Sequence, residues 1–137
     1  MASEYKIIID GRYPSMNQFI EANRIGKGRW NKGNRMKQEC QNKISYYIST
    51  QLRKVHIDKP VYIKYRFFEP NKKRDLDNIS GFFHKVFQDA LVHCGVIKND
   101  SWHYIIGFSD EFFIDNKCPR IEIEIIEKES GERDGKD

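Results

Sequence analysis

The apolar positions of this chain alternate between a two-residue and a three-to-four-residue period, and each change of period marks an element. Tyr5 to Ile9 is a short β-rich run, closed by Asp10-Gly11 and Tyr13-Pro14-Ser15. A helix is predicted from about Asn34 to Lys54, because Met36, Cys40, Ile44, Tyr47, Ile48 and Leu52 recur at helical spacing. Val61 to Phe68 reads as a strand of β-branched and aromatic residues, interrupted by Glu69-Pro70-Asn71. A second helix, from about Asn78 to Cys94, carries a broad apolar stripe from Ile79 to Leu91. Asp77 or Asn78 is placed to cap its start, and Gly95 to stop it. Tyr104–Phe108, Glu111–Ile114 and Arg120–Ile126 are strand candidates, the last alternating Ile121, Ile123 and Ile125 with Glu122 and Glu124. The order β-α-β-α-β-β predicts an α+β fold, one mixed sheet with two main helices against it.

At 137 residues the chain is long enough for one core. The expected domain is residues 1–127, followed by a polar tail, 128–137, with no core-forming residue and expected to be disordered. No run approaches the ~20 apolar residues of a membrane span, and MASEYKIIID has no signal-peptide core. Cys40, Cys94 and Cys118 have neither disulfide-framework nor zinc-knuckle spacing, which fits a reducing compartment. A cytoplasmic protein without membrane contact is expected.

Charge changes the picture. Residues 21–74 hold fifteen Lys and Arg against four acids, whereas residues 110–137 hold five against ten. Such asymmetry implies a face for a polyanion. Residues 23–34, NRIGKGRWNKGN, have the composition of a mobile loop, and its Lys27, Arg29 and Lys32 are candidate phosphate contacts around Trp30.

The chemistry concentrates at Arg74-Asp75-Leu76-Asp77-Asn78, directly behind Lys72 and Lys73. In an extended run Asp75 and Asp77 share a face, and two carboxylates so placed repel unless a cation or proton intervenes. Hard oxygen ligands of this kind suit Mg²⁺, and the neighbouring cations suit a nucleic-acid backbone. The residues thus imply a metal-dependent nuclease. Asp100 lies beyond the second helix, so it joins the pair only if the chain folds back or a second subunit supplies it. Lys85 falls off the apolar stripe, where it either pairs with Asp89 or offsets charge on a reacting phosphate. The four histidines have no metal-ligand spacing. A non-catalytic nucleic-acid-binding domain is the main alternative. An aspartyl-phosphate phosphohydrolase fits poorly, because its Asp-x-Asp follows a buried strand rather than a basic run.

Lys73-Arg74-Asp75-Leu76-Asp77-Asn78, then Lys85 with Asp89-Ala90-Leu91, then Gly95 and Asn99-Asp100, resembles the RusA family of Holliday-junction resolvases. Tyr13-Pro14-Ser15-Met16-Asn17 is similar to a Pro-Ser-x-Asn segment near that family's N-terminus, so the resemblance spans roughly residues 5 to 126. It implies a small homodimeric Mg²⁺-dependent endonuclease, with Mn²⁺ as a possible substitute and no small-molecule cofactor. Such enzymes are commonly carried by phages and nick four-way DNA symmetrically. Asp75, Asp77 and Asp100 would bind the metal, Lys85 would be the essential lysine, and Arg74 would contact phosphate. Two departures stand out. Relative to shorter members, roughly four residues, about one helical turn, are added between Asp77 and Lys85. Asn99 also replaces an acid beside Asp100.

Overall fold

The alternation in the strand segments becomes one mixed sheet with a single buried face. The computed structural model describes residues 3–129, apart from the side chain of Arg29. Strands β1 (Glu4–Asp10), β2 (Val61–Glu69), β3 (Ile105–Ile114) and β4 (Arg120–Glu127) lie in the order β1-β4-β2-β3. β4 is antiparallel to both β1 and β2, and β3 runs parallel to β2. Pairings such as Ile7↔Ile123 and Tyr65↔Ile123 set same-face residues side by side, so Ile7, Ile9, Ile63, Tyr65, Phe67, Ile121 and Ile125 are all buried together. Helices α1 (Met16–Ala22), α2 (Lys32–Gln51) and α3 (Leu76–His93) pack on that face. Ile44 and Ile48 from α2 and Phe82, Phe83 and Phe87 from α3 join the same core. Each buried phenylalanine contributes about 2–3 kcal/mol. The expected α+β architecture is the observed one.

Four details differ from the sequence reading. Helix α1 was not foreseen, being only seven residues long. It forms because Ser15 Oγ accepts from the Gln18 N–H while Gln18 Oε1 accepts from the Ser15 N–H, a capping box. Tyr104–Phe108 and Glu111–Ile114 are one strand, because Ser109 and Asp110 keep pairing with Lys64 and Tyr65. Residues 23–34 are not an irregular loop throughout. They hold a 3₁₀ turn at Gly28–Trp30 and the start of α2, with Lys32 N–H donating to Ile25 O at 2.7 Å and Asn31 Nδ2 to Asn23 O at 2.7 Å. Gly26, at φ +84°, lets the Trp30 carbonyl approach where a Cβ would sit. Finally, α3 starts at Leu76 with Asp75 as its N-cap, rather than at Asn78 capped by Asp77 or Asn78. Its end is as expected: Gly95 takes φ +75° and the Val96 N–H returns to Leu91 O at 2.9 Å.

The two sheet edges are unlike. On β1, the Gln51 side-chain amide accepts from the Ile8 N–H at 2.8 Å and donates to the Ile8 carbonyl at 2.7 Å, capping the middle of that edge. β3 has no such cover among the described residues, and its Phe108, Phe113 and Ile114 stay half exposed. Of the expected tail, Lys128 still bonds through its N–H to Pro60 O, and Glu129 pairs with Lys59. The remainder, 130–137, lies outside the described residues.

Candidate active site

The inward positions of β2 run Val61, Ile63, Tyr65, Phe67 and then Glu69, so the strand's own period buries a carboxylate. Glu69 is 4% exposed. A buried charge persists only with partners. Arg74 supplies them, with Nη2 and Nε donating to the two carboxylate oxygens at 2.9 and 3.2 Å and Nη1 to the Tyr13 carbonyl at 2.8 Å. Arg12 Nη2 adds a third contact at 2.8 Å. Burial pushes the Glu69 carboxyl up, but hydrogen bonds from Arg74 and Arg12 outweigh it and hold the group below the usual carboxylate range. The chain leaving β2, the end of β1 and the residue before Asp75 are thereby fastened together. Arg74 is therefore turned inward, 18% exposed at its side chain, and serves as a tether where the sequence suggested a phosphate contact.

This tether delivers the acidic pair to the start of α3. Asp75 has extended backbone as the N-cap, yet its side chain makes no capping bond. Asp77 lies in the first turn, where the helix dipole favours an anion. Both are exposed, on either side of the exposed Leu76, rather than along an extended run. Asn78 Oδ1 accepts from the Asn17 N–H at 2.8 Å, so the Tyr13–Asn17 segment abuts the acidic run. A cleft of about 390 Å³ opens here, with Lys72, Asp75 and Leu76 on one side and Phe112, Phe113 and Ile114 on the other.

Lys85 is exposed further along α3 and takes no ion pair among the described residues. The i+4 acid, Asp89, pairs instead with Lys37 of α2 at 3.3 Å. Lys85 is displaced about 12 Å from Asp77 along the axis. Asp100 is exposed in the turn after α3, where Asn99 Oδ1 accepts from the Ser101 N–H at 2.9 Å. The helix between the two acidic places is about 27 Å long by the usual rise. Among the described residues no three His, Cys, Asp or Glu side chains gather as a metal group. One chain thus sets Asp75 and Asp77 two residues apart at the start of α3, with Asp75 lining the cleft, and leaves Asp100 in the turn beyond the helix's other end. Two exposed carboxylates with no hydrogen-bond partner are a donor set that fits Mg²⁺, which takes one or two carboxylates and fills its octahedron with water.

Of the predicted cations, Lys72 and Lys73 are exposed beside the cleft, the Lys73 N–H being fixed by Asn71 Oδ1 at 3.0 Å. Lys27 and Lys32 are exposed at the 3₁₀ turn and the start of α2, while the Arg29 side chain lies outside the described residues. Trp30 is 69% exposed. Sequence reading overlooked Arg12 and Glu69. The available indication was the β2 alternation itself, which continues one step past Phe67 and makes Glu69 an inward acid in need of cations.

No helix among the described residues is long and apolar enough to cross a membrane. No curated protein matches the chain. The family model of endodeoxyribonuclease RusA matches residues 22–126, a stretch that holds Asp75, Asp77, Lys85 and Asp100 and leaves the Tyr13–Asn17 likeness outside. With most of its length matched, the chain belongs to the RusA endodeoxyribonuclease family.

Proposed function

We propose that this chain is a Mg²⁺-dependent, structure-selective endodeoxyribonuclease that resolves four-way DNA junctions by paired symmetric nicks, working as a homodimer. The observation that carries this reading is the exposed, unbonded pair Asp75 and Asp77 at the tethered start of α3, among cations, in a RusA-family chain. Asp75, Asp77 and Asp100 would hold the ion. When bound, Mg²⁺ or Mn²⁺ supplies a Lewis acid for a phosphodiester oxygen and a water of lowered pKa. Lys85 would offset the negative charge that builds on the phosphate as water attacks. The Glu69–Arg12–Arg74 tether keeps the acidic pair in place.

The distance to Asp100 favours assembly from two copies. Edge β3 has no side-chain cover among the described residues, whereas Gln51 caps the middle of β1 at Ile8. Two β3 edges paired antiparallel about a two-fold axis would set the start of one beside the end of the other. Asp100 precedes the start of β3, and the cleft of Asp75 includes Phe113 and Ile114 at its end. Such a dimer would supply each acidic pair with Asp100 of a second copy.

The test is a labelled four-way junction and a matching linear duplex, incubated with and without Mg²⁺. Paired nicks in the junction alone, abolished by EDTA and by Asp77→Asn, are expected. Tight binding with no nicking under Mg²⁺ or Mn²⁺ would instead make this a DNA-binding domain.

A further inference from the structure

A second concave surface lies on the other side of the Glu69 tether, and no role has been given to it. Arg74 lines the acidic cleft and also a cleft of about 350 Å³ with Arg12, Tyr13, Pro14 and Gln18. Arg12, Tyr13 and Pro14 in turn form one wall of a third cleft, about 460 Å³, whose other wall is α2. The second and third openings share Arg12, Tyr13 and Pro14 as a wall and make one trough, which begins on the far side of Arg74 from the acidic cleft.

The α2 wall is cationic by its spacing. Lys32, Arg35, Glu39 and Lys43 follow one another at three- and four-residue steps, a single helical stripe, with Met36 and Cys40 beneath. Three of the four are cations, all exposed, and Arg12 faces them from the β1 side. Among the described residues none of Lys32, Arg35 and Lys43 forms a salt bridge, although Lys43 Nζ sits 5.6 Å from the Tyr13 ring centre. Glu39 stands at i+4 from Arg35 and i−4 from Lys43, yet it pairs with neither among the described residues, so the cations stay available beside an apolar floor. Tyr13, common to two of the clefts, adds a buried hydroxyl with no hydrogen-bond partner. The stripe is about 16 Å long by the usual helical rise. That length matches roughly five nucleotides of one duplex strand at about 3.4 Å each.

We propose that this trough holds the sugar–phosphate backbone of the DNA strand leaving the acidic site, with Arg35 and Lys43 as phosphate contacts and Lys32 at its far end. The inference rests on the nuclease reading and adds Arg35 and Lys43 to its DNA contacts. Glu39 on the same stripe limits the local charge and sets gaps between phosphate positions.

The experiment is junction binding by the full chain in EDTA, followed over a range of salt, for wild type, Arg35→Gln/Lys43→Gln and Lys43→Glu. Lys64→Glu, exposed on the opposite sheet face, is the control. A melting curve confirms that each variant folds. The slope of log K against log salt is expected to fall by about two in the double variant, with affinity down more than tenfold at low salt. Lys43→Glu should weaken binding at least as much as one lost contact, and Lys64→Glu should leave the slope unchanged. An unchanged slope in the folded double variant, or an equal loss in Lys64→Glu, overturns the trough while leaving the nuclease reading intact. A wild type that binds neither junction nor single strand overturns both.

Discussion

Glu69→Gln separates the tether from the chemistry it serves. The substitution keeps the shape of a side chain that is 4% exposed and removes the charge that two guanidinium groups share. Breaking a fully buried ion pair by deleting one partner costs about 3–5 kcal/mol. Arg74 is 18% exposed at its side chain and is left inside, whereas Arg12, at 37%, recovers much of its hydration. The lower part of that range, about 3 kcal/mol, is therefore expected. For a chain of this size each kcal/mol moves Tm by about 3–4 °C, so Tm should fall by about 10 °C at pH 7. The pH dependence fixes the sign. The Glu69 carboxyl is held below its ordinary value of 4.5, so its contribution is whole above that value and is lost as pH falls through the lowered folded value. The Tm gap between wild type and variant should thus be constant at neutral pH and close progressively below about pH 4.5. Thermal melts at a series of pH values measure both quantities. A drop under about 2 °C at pH 7, or a gap that widens on acidification, would refute the ion-pair account of this segment.

Other outcomes follow from the same geometry. Asp75→Asn and Asp77→Asn should each change stability by less than about 1 kcal/mol in melts without metal, because the Asp75 side chain makes no capping bond and only a dipole contact is lost at Asp77. The same variants should lose Mg²⁺ binding by calorimetry, and a variant that keeps it would remove these residues from the site. Lys85→Met should leave Tm and junction affinity near wild type while slowing single-turnover nicking about 10²–10³-fold. Gln51→Ala should cost about 1 kcal/mol in a urea melt by opening the β1 edge, and light scattering on heating should rise earlier.

Strand and helix periods made the fold largely legible, because one face of each strand and one stripe of α3 are apolar. The boundaries that escaped were set by single hydrogen bonds. Asp77 and Asn78 looked like caps since both residue types cap well, but the backbone turns helical two residues earlier, behind the fastened Arg74. Helix α1 needed the Ser15–Gln18 box, a signature with too short an apolar run behind it to read as a helix. At the site, the acidic pair was readable from its two-residue spacing, but the extended run that would set both on one face is instead the N-cap and first turn of α3. The inward turn of Arg74 was not readable, because a basic residue beside carboxylates looks the same in sequence whether it meets phosphate or a buried Glu69. The separation of Asp100 was readable from helix length alone.

A mixing experiment tests the composite site most directly. Asp77→Asn and Asp100→Asn, each inactive alone, are combined so that heterodimers form, and nicking of a four-way junction in Mg²⁺ is followed. If Asp100 acts across the dimer, one site of each heterodimer carries both substitutions and the other carries none. Nicking should return at up to about half the protein, on one strand per junction. Continued inactivity at every mixing ratio, with heterodimers present by mass spectrometry, would contradict a site shared between copies.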